Sequence, residues 1–533
     1  MVKKMLDSTF SLLYPNADEI SSGKVSISDG VISELGLDFL LDLKNSSLSD
    51  YFTTDKATIE YRLEVVADLI NNPGIVDTLK SVLTLLNDII ELRATKGETE
   101  VAKNYLYSIT EIELYIDIVA RLAKGFADVG NNVKSRALKK LTETVNELWE
   151  SDYYRELNKK LGELTAKVHD VKSVTIGVNL DSEFRPTDAG VVSINAEKFK
   201  SGKTIDKILR MDFKDGDYTC IAPLVPYTNA HTDNAKIAFT NAFNNAMNDI
   251  FKSDVRQWRS LVQFYVLSNT DFLLQIMPEI EFLTKAQHLL LALKSRGLAL
   301  ANPEICDMDT REFTANGIYN PVVALKVDTP MVKNDIAFDE NAKIYILTGP
   351  NRGGKSVITC AVGIVQALAQ LGLPVPADSA KISPASGIFT HFPTDGGDTI
   401  EKGRLGEECA RLNEIFDVVD RHSLVLLDES FSSTGSFEAS YIASEVLTGL
   451  SIVGCRCLFS THLHELSAQI DAINEKCAKE GGAPIDTLVA GINGAERSFE
   501  ITRAKPDGKS YARDIAEKYG ISYDKIMSRV KNK

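Results

Sequence analysis

The sequence predicts a multidomain chain in which a long α-helical half is followed by an α/β domain. Two observations support this fold class. Apolar residues recur at helical spacing from about residue 40 to 170 and again from about 233 to 299. From about residue 315, short apolar runs alternate with helix-compatible segments, which is typical of buried parallel strands. We therefore expect a helical domain at 1–315 and an α/β domain at 316–533.

In the helical half, apolar side chains fall close to the a and d positions of long paired helices. These stripes comprise Leu79, Val82, Leu83, Leu86, Ile89 and Ile90, then Leu138, Leu141, Val145 and Leu148, and then Leu157, Leu161, Leu164 and Val168. Turns are expected at Asn71–Gly74 and at Gly130–Asn132. Between them, the stripes predict long helices that pack side by side.

The pattern changes between residues 171 and 225. Val174–Leu180 alternates between apolar and other residues as a strand does, and Gly190–Ile194 is a second such segment. We expect a small β-rich insertion there. In the C-terminal half, the apolar runs 343–347, 424–427 and 457–460 are expected to be buried strands.

Composition bounds the class of protein. A length of 533 residues suggests more than one domain, and 44% hydrophobic with 25% charged residues is an ordinary globular balance. No run approaches the about 18 apolar residues that a membrane span needs, and the N-terminus does not resemble a signal peptide. Seven scattered cysteines do not form a disulfide framework. We therefore expect a cytoplasmic protein with Cys455 and Cys457 as reduced core residues.

The net charge of −15 argues against a surface coated for phosphate binding, because non-specific nucleic-acid affinity comes from lysine and arginine. A local basic patch is still compatible with this charge. The candidate stretch contains Lys198, Lys200, Lys203, Lys207, Arg210 and Lys214. Because Asp206 and Asp212 interrupt it, a solvated face is the favoured interpretation.

The strongest chemical motif is a glycine-rich loop directly after the first of these strands. It consists of Gly349, Pro350, Asn351, Arg352, Gly353, Gly354, Lys355 and Ser356, and it fits GxxxxGK[ST]. A helix-compatible segment, 357–371, follows. Backbone N–H groups of such a loop surround phosphates, Lys355 is expected to reach the β- and γ-phosphates, and Ser356 to bind Mg²⁺. The loop predicts binding of ATP with Mg²⁺; a chance match in a glycine turn is the alternative.

A second motif places two carboxylates at the end of a buried strand. Asp428 and Glu429 follow the apolar run 424–427. Ligands of open α/β sheets bind at the carboxyl ends of strands. We expect Asp428 to hold Mg²⁺ through water, and Glu429 to orient or deprotonate the attacking water. Adjacent acids are costly there without a metal and phosphate nearby; an ordinary acidic strand end is the alternative.

Two histidines, His462 and His464, follow the third apolar run. His462 could sense the γ-phosphate by donating a hydrogen bond, which is the favoured role. Residues two apart share a face of a strand, so the two histidines could instead bind a metal, although no third ligand is evident nearby. A histidine that merely caps or packs the strand end is the third alternative.

These three elements, in this order, resemble the MutS family of DNA mismatch-repair ATPases. Residues 348–356 are similar to the family's TGPNMGGKS, with Arg352 in place of methionine. Further similarities lie at Tyr319–Val323 (RHPVV), Val332–Asp335 (VPND), Val375–Ala377 (VPA), Thr434–Ser436 (the D-loop), Thr461–His462 (the TH switch) and Gly508–Ala512 with Ala516 and Gly520 (GxSYGIxVAxxAG). The resemblance is strong over about 316–525 and weaker over 50–95 and 280–286.

The resemblance implies a helical core with long lever arms, a clamp within the 171–225 insertion, and an ABC-type P-loop ATPase domain. It also implies a homodimer with ATP between two ATPase domains, and DNA as a partner. Three departures qualify this. No mismatch-recognition or connector domain is seen, and no Phe-x-Glu wedge, which senses mismatches in kinked duplexes, precedes the core. The chain also ends without the small nuclease domain of the longer paralogue.

The third departure concerns the family's Ser-Thr-Phe signature, which completes the partner subunit's site. It would fall near Gly403–Glu408, where the hydroxyls are absent. The Gly406 backbone or Arg404 could contact the γ-phosphate in trans. In addition, Met331 stands where the family places an adenine-stacking aromatic residue, so adenine selectivity is open.

We therefore expect a Mg²⁺-dependent ATPase that acts as a dimeric ATP-gated DNA clamp in repair or recombination and does not itself read mismatches. Two alternatives remain. The net charge of −15 also suits a nucleotide-gated protein scaffold that does not bind DNA. A protein that binds ATP without turnover is the second.

Overall fold

The computed structural model describes residues 10–16, 23, 25, 27–94, 105–127, 132–169, 172–195, 197, 225–226, 267–393, 403–463, 465–466, 469–493, 496–505, 517 and 519–531. These residues divide into two compact units. One lies within 74–133 and 139–277, and the other within 9–73, 134–138 and 278–533. We call them the helical unit and the α/β unit.

In chain order the helices are α1 (Asp29–Glu34), α2 (Leu37–Leu40), α3 (Lys56–Asn71), α4 (Pro73–Ala94), α5 (Tyr105–Ala127), α6 (Arg136–Glu150), α7 (Asp152–His169), α8 (Leu267–Ser295), α9 (Pro321–Lys326), α10 (Lys355–Gln370), α11 (Gly403–Val418), α12 (Ser436–Val453), α13 (Ile470–Lys479) and α14 (Tyr523–Lys531), with short 3₁₀ helices at Leu48–Tyr51 and Met308–Thr310. The strands are β1 (Ser173–Leu180), β2 (Pro186–Asn195), β3 (Val225–Pro226), β4 (Glu304–Ile305), β5 (Phe313–Ile318), β6 (Asn334–Phe338), β7 (Ile344–Thr348), β8 (Ser379–Ile382), β9 (Ile388–His391), β10 (Leu424–Asp428), β11 (Arg456–Ser460), β12 (Ile485–Asn493) and β13 (Glu496–Arg503).

The predicted helical stripes are confirmed, except that Leu83 is only half-buried and Ile90 is exposed. The buried members are Leu79, Val82, Leu86, Ile89, Leu138, Leu141, Val145, Leu148, Leu157 and Leu161. Ile90 was predicted as a core residue, but it is exposed, and Leu85 is buried instead. The reason is geometric: a straight helix of 3.6 residues per turn carries position 90 away from the face that 82, 86 and 89 share. The turn predicted at Asn71–Gly74 is confirmed, because α3 ends at Asn71 and α4 begins at Pro73.

Both strands predicted in the insertion are confirmed. β1 pairs antiparallel with β2, from Ser173 opposite Asn195 to Leu180 opposite Pro186. β3 adds to the far edge of β2, so the sheet has three strands. One face of β1 is polar: Thr175 lies opposite Ser193, and their hydroxyls are 2.9 Å apart.

The α/β unit is built on a six-stranded sheet with the order β13-β12-β7-β11-β10-β9. Its strands are parallel except β13, which pairs antiparallel with β12. The three predicted apolar runs are the central strands β7, β11 and β10, and each is buried at every position. Buried apolar residues on α10 cover this sheet, as expected for parallel strands. A four-stranded sheet, β4-β8-β5-β6, completes the unit.

Cys455 and Cys457 are free thiols in the core, as predicted. Burial raises the pKa of both. Between them, the fully buried Arg456 donates hydrogen bonds to the carbonyl oxygens of Glu312 and Ser383, each 3.3 Å away. These two residues flank β5 and β8, so one guanidinium joins the two sheets of the α/β unit.

Several predicted features lie outside the described residues. They include Gly130 and Asn131, the helical pattern before residue 267, the basic stretch 198–214, His464, and Gly508–Ala512 with Ala516. The side chains of Leu164 and Val168 are also outside them. Where described, the second helical pattern is confirmed as α8. Within the described residues, no helix combines the length and apolar character needed to cross a bilayer.

Candidate nucleotide site

The sheet order brings the predicted motifs to one edge. In the parallel register, Leu347 of β7 lies beside Ser460 of β11, and Ser460 lies beside Asp428 of β10. The glycine-rich loop, the two carboxylates and the Thr461–His462 segment therefore leave the sheet at neighbouring points. The carboxyl edge of a parallel sheet is where such folds bind ligands.

The glycine-rich loop folds tightly between β7 and α10. Gly349 and Gly354 have φ values of +140° and +90°, which side chains other than glycine rarely adopt. A Cβ on Gly349 would also lie 2.7 Å from the Cβ of Ala490 on β12. The loop thus needs glycine for both conformation and space. It ends at the N-terminus of the 16-residue helix α10, whose free N–H groups and dipole favour an anion.

Lys355 points into this loop rather than into solvent. Its ammonium donates to the carbonyl oxygens of Gly349 and Pro350 at 3.2 and 3.3 Å. Burial lowers the pKa of Lys355, while Glu429 and Asp428 act to raise it. A buried cation that is held by loop carbonyl oxygens and has no carboxylate in direct contact is well suited to a phosphate.

Asp428 and Ser356 face each other at the start of α10. The buried carboxylate of Asp428 accepts hydrogen bonds from the hydroxyls of Ser460 and Ser356. Burial raises the pKa of Asp428, and these two hydrogen bonds oppose the rise. A carboxylate and a hydroxyl are hard oxygen donors of the kind that Mg²⁺ binds together with water and phosphate oxygens. The two residues therefore fit the predicted Mg²⁺ site.

Among the described residues, no group of three or more His, Cys, Asp or Glu side chains could hold a metal ion. His464, half of the histidine pair considered from the sequence, lies outside those residues.

Glu429 and His462 form a hydrogen-bonded pair. Glu429 Oε1 is 2.7 Å from His462 Nε2, and both side chains are about one-third exposed, at 36% and 34%. Both ring nitrogens of His462 are also 3.4 Å from Lys355 Nζ. The histidine therefore lies between the carboxylate and the lysine of the loop, within reach of a phosphate bound by Lys355.

An apolar cavity of about 420 Å³ adjoins the loop. Val323, Met331 and Phe499 contribute apolar surface, and Lys355 and Ser356 form its polar side. This arrangement suits a base and ribose beside the phosphates. Phe499 was missed from the sequence, because it lies in β13 without any motif around it; its φ of +59° and 45% exposure become visible only in the fold.

A second, polar cavity of about 220 Å³ adjoins Asp428 and Glu429 from another direction. Its lining includes Arg404 and Glu408 of the divergent signature, Gly403–Glu408, and His391 at the end of β9. The signature therefore forms the first turns of α11 and lies beside Glu429 of the same chain. Burial, together with Arg411, lowers the pKa of His391 to about 4.

Family sequence models match part of each half of the chain. Residues 345–483 match the sequence model of MutS domain V, and residues 54–294 match that of the MutS2 N-terminal domain. The chain is similar to the DNA mismatch repair protein MutS of Prochlorococcus marinus (strain MIT 9301), with 39% identity over 150 residues, 28% of this chain and 16% of that protein.

Similar relatives occur in other bacteria. The DNA mismatch repair protein MutS of Roseiflexus sp. (strain RS-1) is 35% identical over 216 residues, covering 39% of this chain and 20% of that protein. That of Thermosipho melanesiensis is 32% identical over 212 residues, covering 37% and 25%. The chain thus spans a quarter or less of the length of these relatives.

Proposed function

Since this chain belongs to the MutS family, we propose that it is an ATPase that binds ATP with Mg²⁺ at Gly349–Ser356 and hydrolyses it. One observation carries the proposal. Lys355, Ser356, Asp428, Glu429 and His462 lie at one edge of a parallel sheet, although up to 107 residues separate them in sequence. Each has the chemistry that its place in a phosphoryl-transfer site requires.

The proposed roles follow from the contacts. Loop N–H groups and Lys355 would hold the phosphates, and Ser356 and Asp428 would hold Mg²⁺. When bound, the ion neutralises charge on the β- and γ-phosphate oxygens. Glu429 accepts a proton from the attacking water while the oxygen of that water bonds to the γ-phosphorus. The bond between the γ-phosphorus and the oxygen that bridges the β- and γ-phosphates breaks, which yields ADP and phosphate. His462 orients Glu429 and contacts the γ-phosphate.

We propose that the adenine enters the apolar cavity, between Met331 and Phe499. A methionine thioether and an aromatic face are both favourable neighbours for a planar base. Asn334 supports this arrangement, because its amide binds the Phe499 carbonyl at 3.2 Å and the Ile501 N–H at 2.6 Å. Those hydrogen bonds fix β13 beside the cavity.

We propose that the protein is a homodimeric clamp that transmits to DNA whether ATP is bound. It comprises a helical core with lever arms, a clamp-like insertion at 171–225 and an ABC-type ATPase domain. Family membership supports this. We also propose that the chain does not itself read mismatches. The match of residues 54–294 to the MutS2 N-terminal domain supports a helical lever function for that half.

A scaffold that is gated by nucleotide and does not bind DNA is the second candidate. The net charge of −15 favours it, because phosphate contacts from lysine and arginine supply most non-specific DNA affinity.

The ATPase proposal is tested by phosphate release at saturating ATP. Glu429→Gln keeps the size of the side chain but removes the base, so turnover should fall by about 100-fold or more while the affinity for a fluorescent nucleotide is retained. Glu475→Gln, on the exposed face of α13, is the matched control and should turn over as wild type. Equal rates for Glu429→Gln and wild type would remove Glu429 from catalysis.

The clamp and scaffold proposals are separated by fluorescence anisotropy with matched duplex, mismatched duplex, branched junction and single strand, with and without ATP. The Glu429→Gln variant holds the ATP state during the titration. A clamp should bind with an affinity that falls steeply as salt rises. Absence of binding to every DNA at low salt would favour the scaffold. Preference for the mismatched duplex would contradict the proposal that mismatches are not read.

A further inference from the structure

The turn after Asp428 has an unusual backbone. Glu429 and Phe431 have φ values of +48° and +67°, in the left-handed region that favours glycine. A backbone of this kind persists only where its surroundings hold it in place. The conformation matters because it sets the direction in which Glu429 presents its carboxylate to His462.

Several contacts hold this turn. The Glu429 N–H donates to the Ser460 carbonyl at 2.9 Å, and the Ser432 N–H donates to the Glu429 carbonyl at 3.2 Å. The side chain of Phe431 is buried. A further contact comes from β9: the Ser430 hydroxyl lies 2.7 Å from Nδ1 of His391.

The surroundings of His391 select one form of its ring. Its Nε2 is 3.1 Å from the carbonyl oxygen of Glu408, which only accepts hydrogen bonds. Nε2 must therefore carry the proton, and Nδ1 of the neutral ring accepts the hydroxyl hydrogen of Ser430. That hydroxyl also lies 3.3 Å from the carbonyl of His391, but its single hydrogen favours the shorter contact.

One imidazole thus connects two elements that the sequence keeps apart. On one side it binds Ser430, the neighbour of Glu429 along the chain. On the other it binds Glu408 in the first turns of α11, the helix that begins with the divergent signature. Both His391 and Ser430 are buried.

We propose that His391 and Ser430 form a positioning pair that holds Glu429 in its catalytic orientation and links it to α11. The inference rests on the proposed ATPase function and deepens it. His391 lines the polar cavity beside Glu429, but its hydrogen bonds go to Ser430 and to the Glu408 carbonyl and not to the Glu429 carboxylate, so we treat it as a positioning residue. A displacement of α11 reaches the turn at Glu429 through the ring, because both ends of the ring are hydrogen-bonded.

The test compares His391→Phe, Ser430→Ala and the double variant by steady-state ATP turnover. Each single variant should lower kcat by roughly tenfold and leave the KM for ATP unchanged, because Glu429 acts in the chemical step and not in binding. Because both changes break the hydrogen bond between His391 and Ser430, and His391→Phe also breaks the one to Glu408, the double variant should lose no more than His391→Phe alone. His391→Gln should recover part of the rate, since the amide oxygen and nitrogen can replace Nδ1 and Nε2.

Ser423→Ala is the matched control, since Ser423 is also buried and lies at the other end of β10. It should keep the wild-type kcat. Wild-type kcat in Ser430→Ala, or independent multiplicative losses in the double variant, would overturn the inference. Ser430→Ala removes one oxygen, so it keeps the test decisive if His391→Phe does not fold. A wild type without turnover would instead overturn the ATPase proposal, and the inference with it.

Discussion

The proposed function and the stability of the fold make opposite demands on Asp428. Burial raises its pKa, so the ionised carboxylate costs free energy at neutral pH in the nucleotide-free protein. We expect Asp428→Asn to raise the free energy of unfolding by about 1 kcal/mol and to abolish the stabilisation by ATP with Mg²⁺. Thermal unfolding with and without ligand measures both effects. Because the pKa of Asp428 is higher in the folded protein than in the unfolded chain, the stability gain of Asp428→Asn should disappear below the unfolded pKa of about 4.

Asp420, before the other end of β10, provides the matched comparison. Burial acts to raise its pKa, but hydrogen bonds from the hydroxyls of Ser386 and Ser423 and from the His422 N–H lower the pKa on balance. The same substitution, Asp420→Asn, should therefore lower stability at neutral pH. If both variants change stability in the same direction, burial of charge is not what distinguishes Asp428.

Glu279 is expected to make the free energy of unfolding depend on pH. Burial raises its pKa to about 7, although the Ser11 hydroxyl and the Leu12 N–H donate to it at 2.8 and 2.6 Å. Between the model-peptide value of 4.5 and about 7, the folded protein keeps a proton that the unfolded chain releases. The free energy of unfolding should therefore fall as pH rises through this window, by at most about 1.4 kcal/mol per pH unit.

Glu279→Gln should remove this dependence, because glutamine does not titrate. Denaturant unfolding at pH 5 and pH 8 measures it: the variant should gain stability relative to wild type at pH 8. Glu281→Gln is the control for the loss of a buried acceptor, since Glu281 accepts hydrogen bonds from Lys44 and Asn45. A difference between Glu279→Gln and wild type that is equal at both pH values would contradict the prediction.

At the scale of elements, helix α10 is anchored at both ends. Its N-terminus starts the candidate nucleotide site. Its C-terminus is tied to α3, because Arg62 donates to the Leu371 carbonyl at 3.4 Å, and to the segment before α3, because the Gln370 amide donates to the Thr53 carbonyl at 3.2 Å. Gly372 makes this approach possible: it has a φ of +75°, and a Cβ there would lie 2.4 Å from the Cβ of Arg62.

Gly372→Ala should therefore destabilise the protein more than a left-handed conformation alone requires. Gly454 ends α12 with nearly the same φ, +77°, but a Cβ there would meet only a guanidinium nitrogen of Arg311 at 3.5 Å. We expect losses of about 3 kcal/mol for Gly372→Ala and about 1 kcal/mol for Gly454→Ala in denaturant unfolding. Equal losses would mean that the contact between α10 and α3 relaxes without cost.

These elements also explain what the sequence could predict. The loop 349–356 and the Asp428–Glu429 pair are recognisable because their chemistry requires fixed residue types at fixed local spacing. The buried strands are recognisable because burial on both faces demands continuous apolar runs. His391 and Phe499 could not be found in this way. Their roles depend on β9 lying beside β10, and on where β13 passes the loop, and the order of strands in a sheet leaves no local pattern.

At the scale of the whole molecule, the divergent signature has two possible sites of action. Resemblance to the family implies that Gly403–Glu408 completes the site of a partner subunit. Within one chain, however, Arg404 and Glu429 line the same polar cavity. An arginine can stabilise phosphoryl transfer in cis or in trans. Arg404→Ala should lower turnover in either case, so the single variant does not distinguish the two, whereas full turnover would exclude both.

Mixed dimers separate these possibilities. Lys355→Ala removes phosphate binding from its own subunit, and Arg404→Ala removes the guanidinium. If Arg404 acts in trans, a mixed dimer has one intact site, formed by the wild-type loop of one subunit and the wild-type Arg404 of the other. Random exchange in an equal mixture should then restore about a quarter of wild-type turnover, since half the dimers are mixed and each has one working site.

If Arg404 acts in cis, both subunits of the mixed dimer are defective and the mixture should be no more active than its components. Copurification of two differently tagged variants checks that mixed dimers form, and its failure would contradict the homodimer itself. Restored turnover would place Arg404 in the partner's site, and no gain in turnover would place it in the site of its own chain. Failure to copurify would indicate a protein that works as a single chain. The mixing experiment therefore tests the proposed homodimer and the role of the divergent signature together, which substitutions in one kind of subunit cannot do.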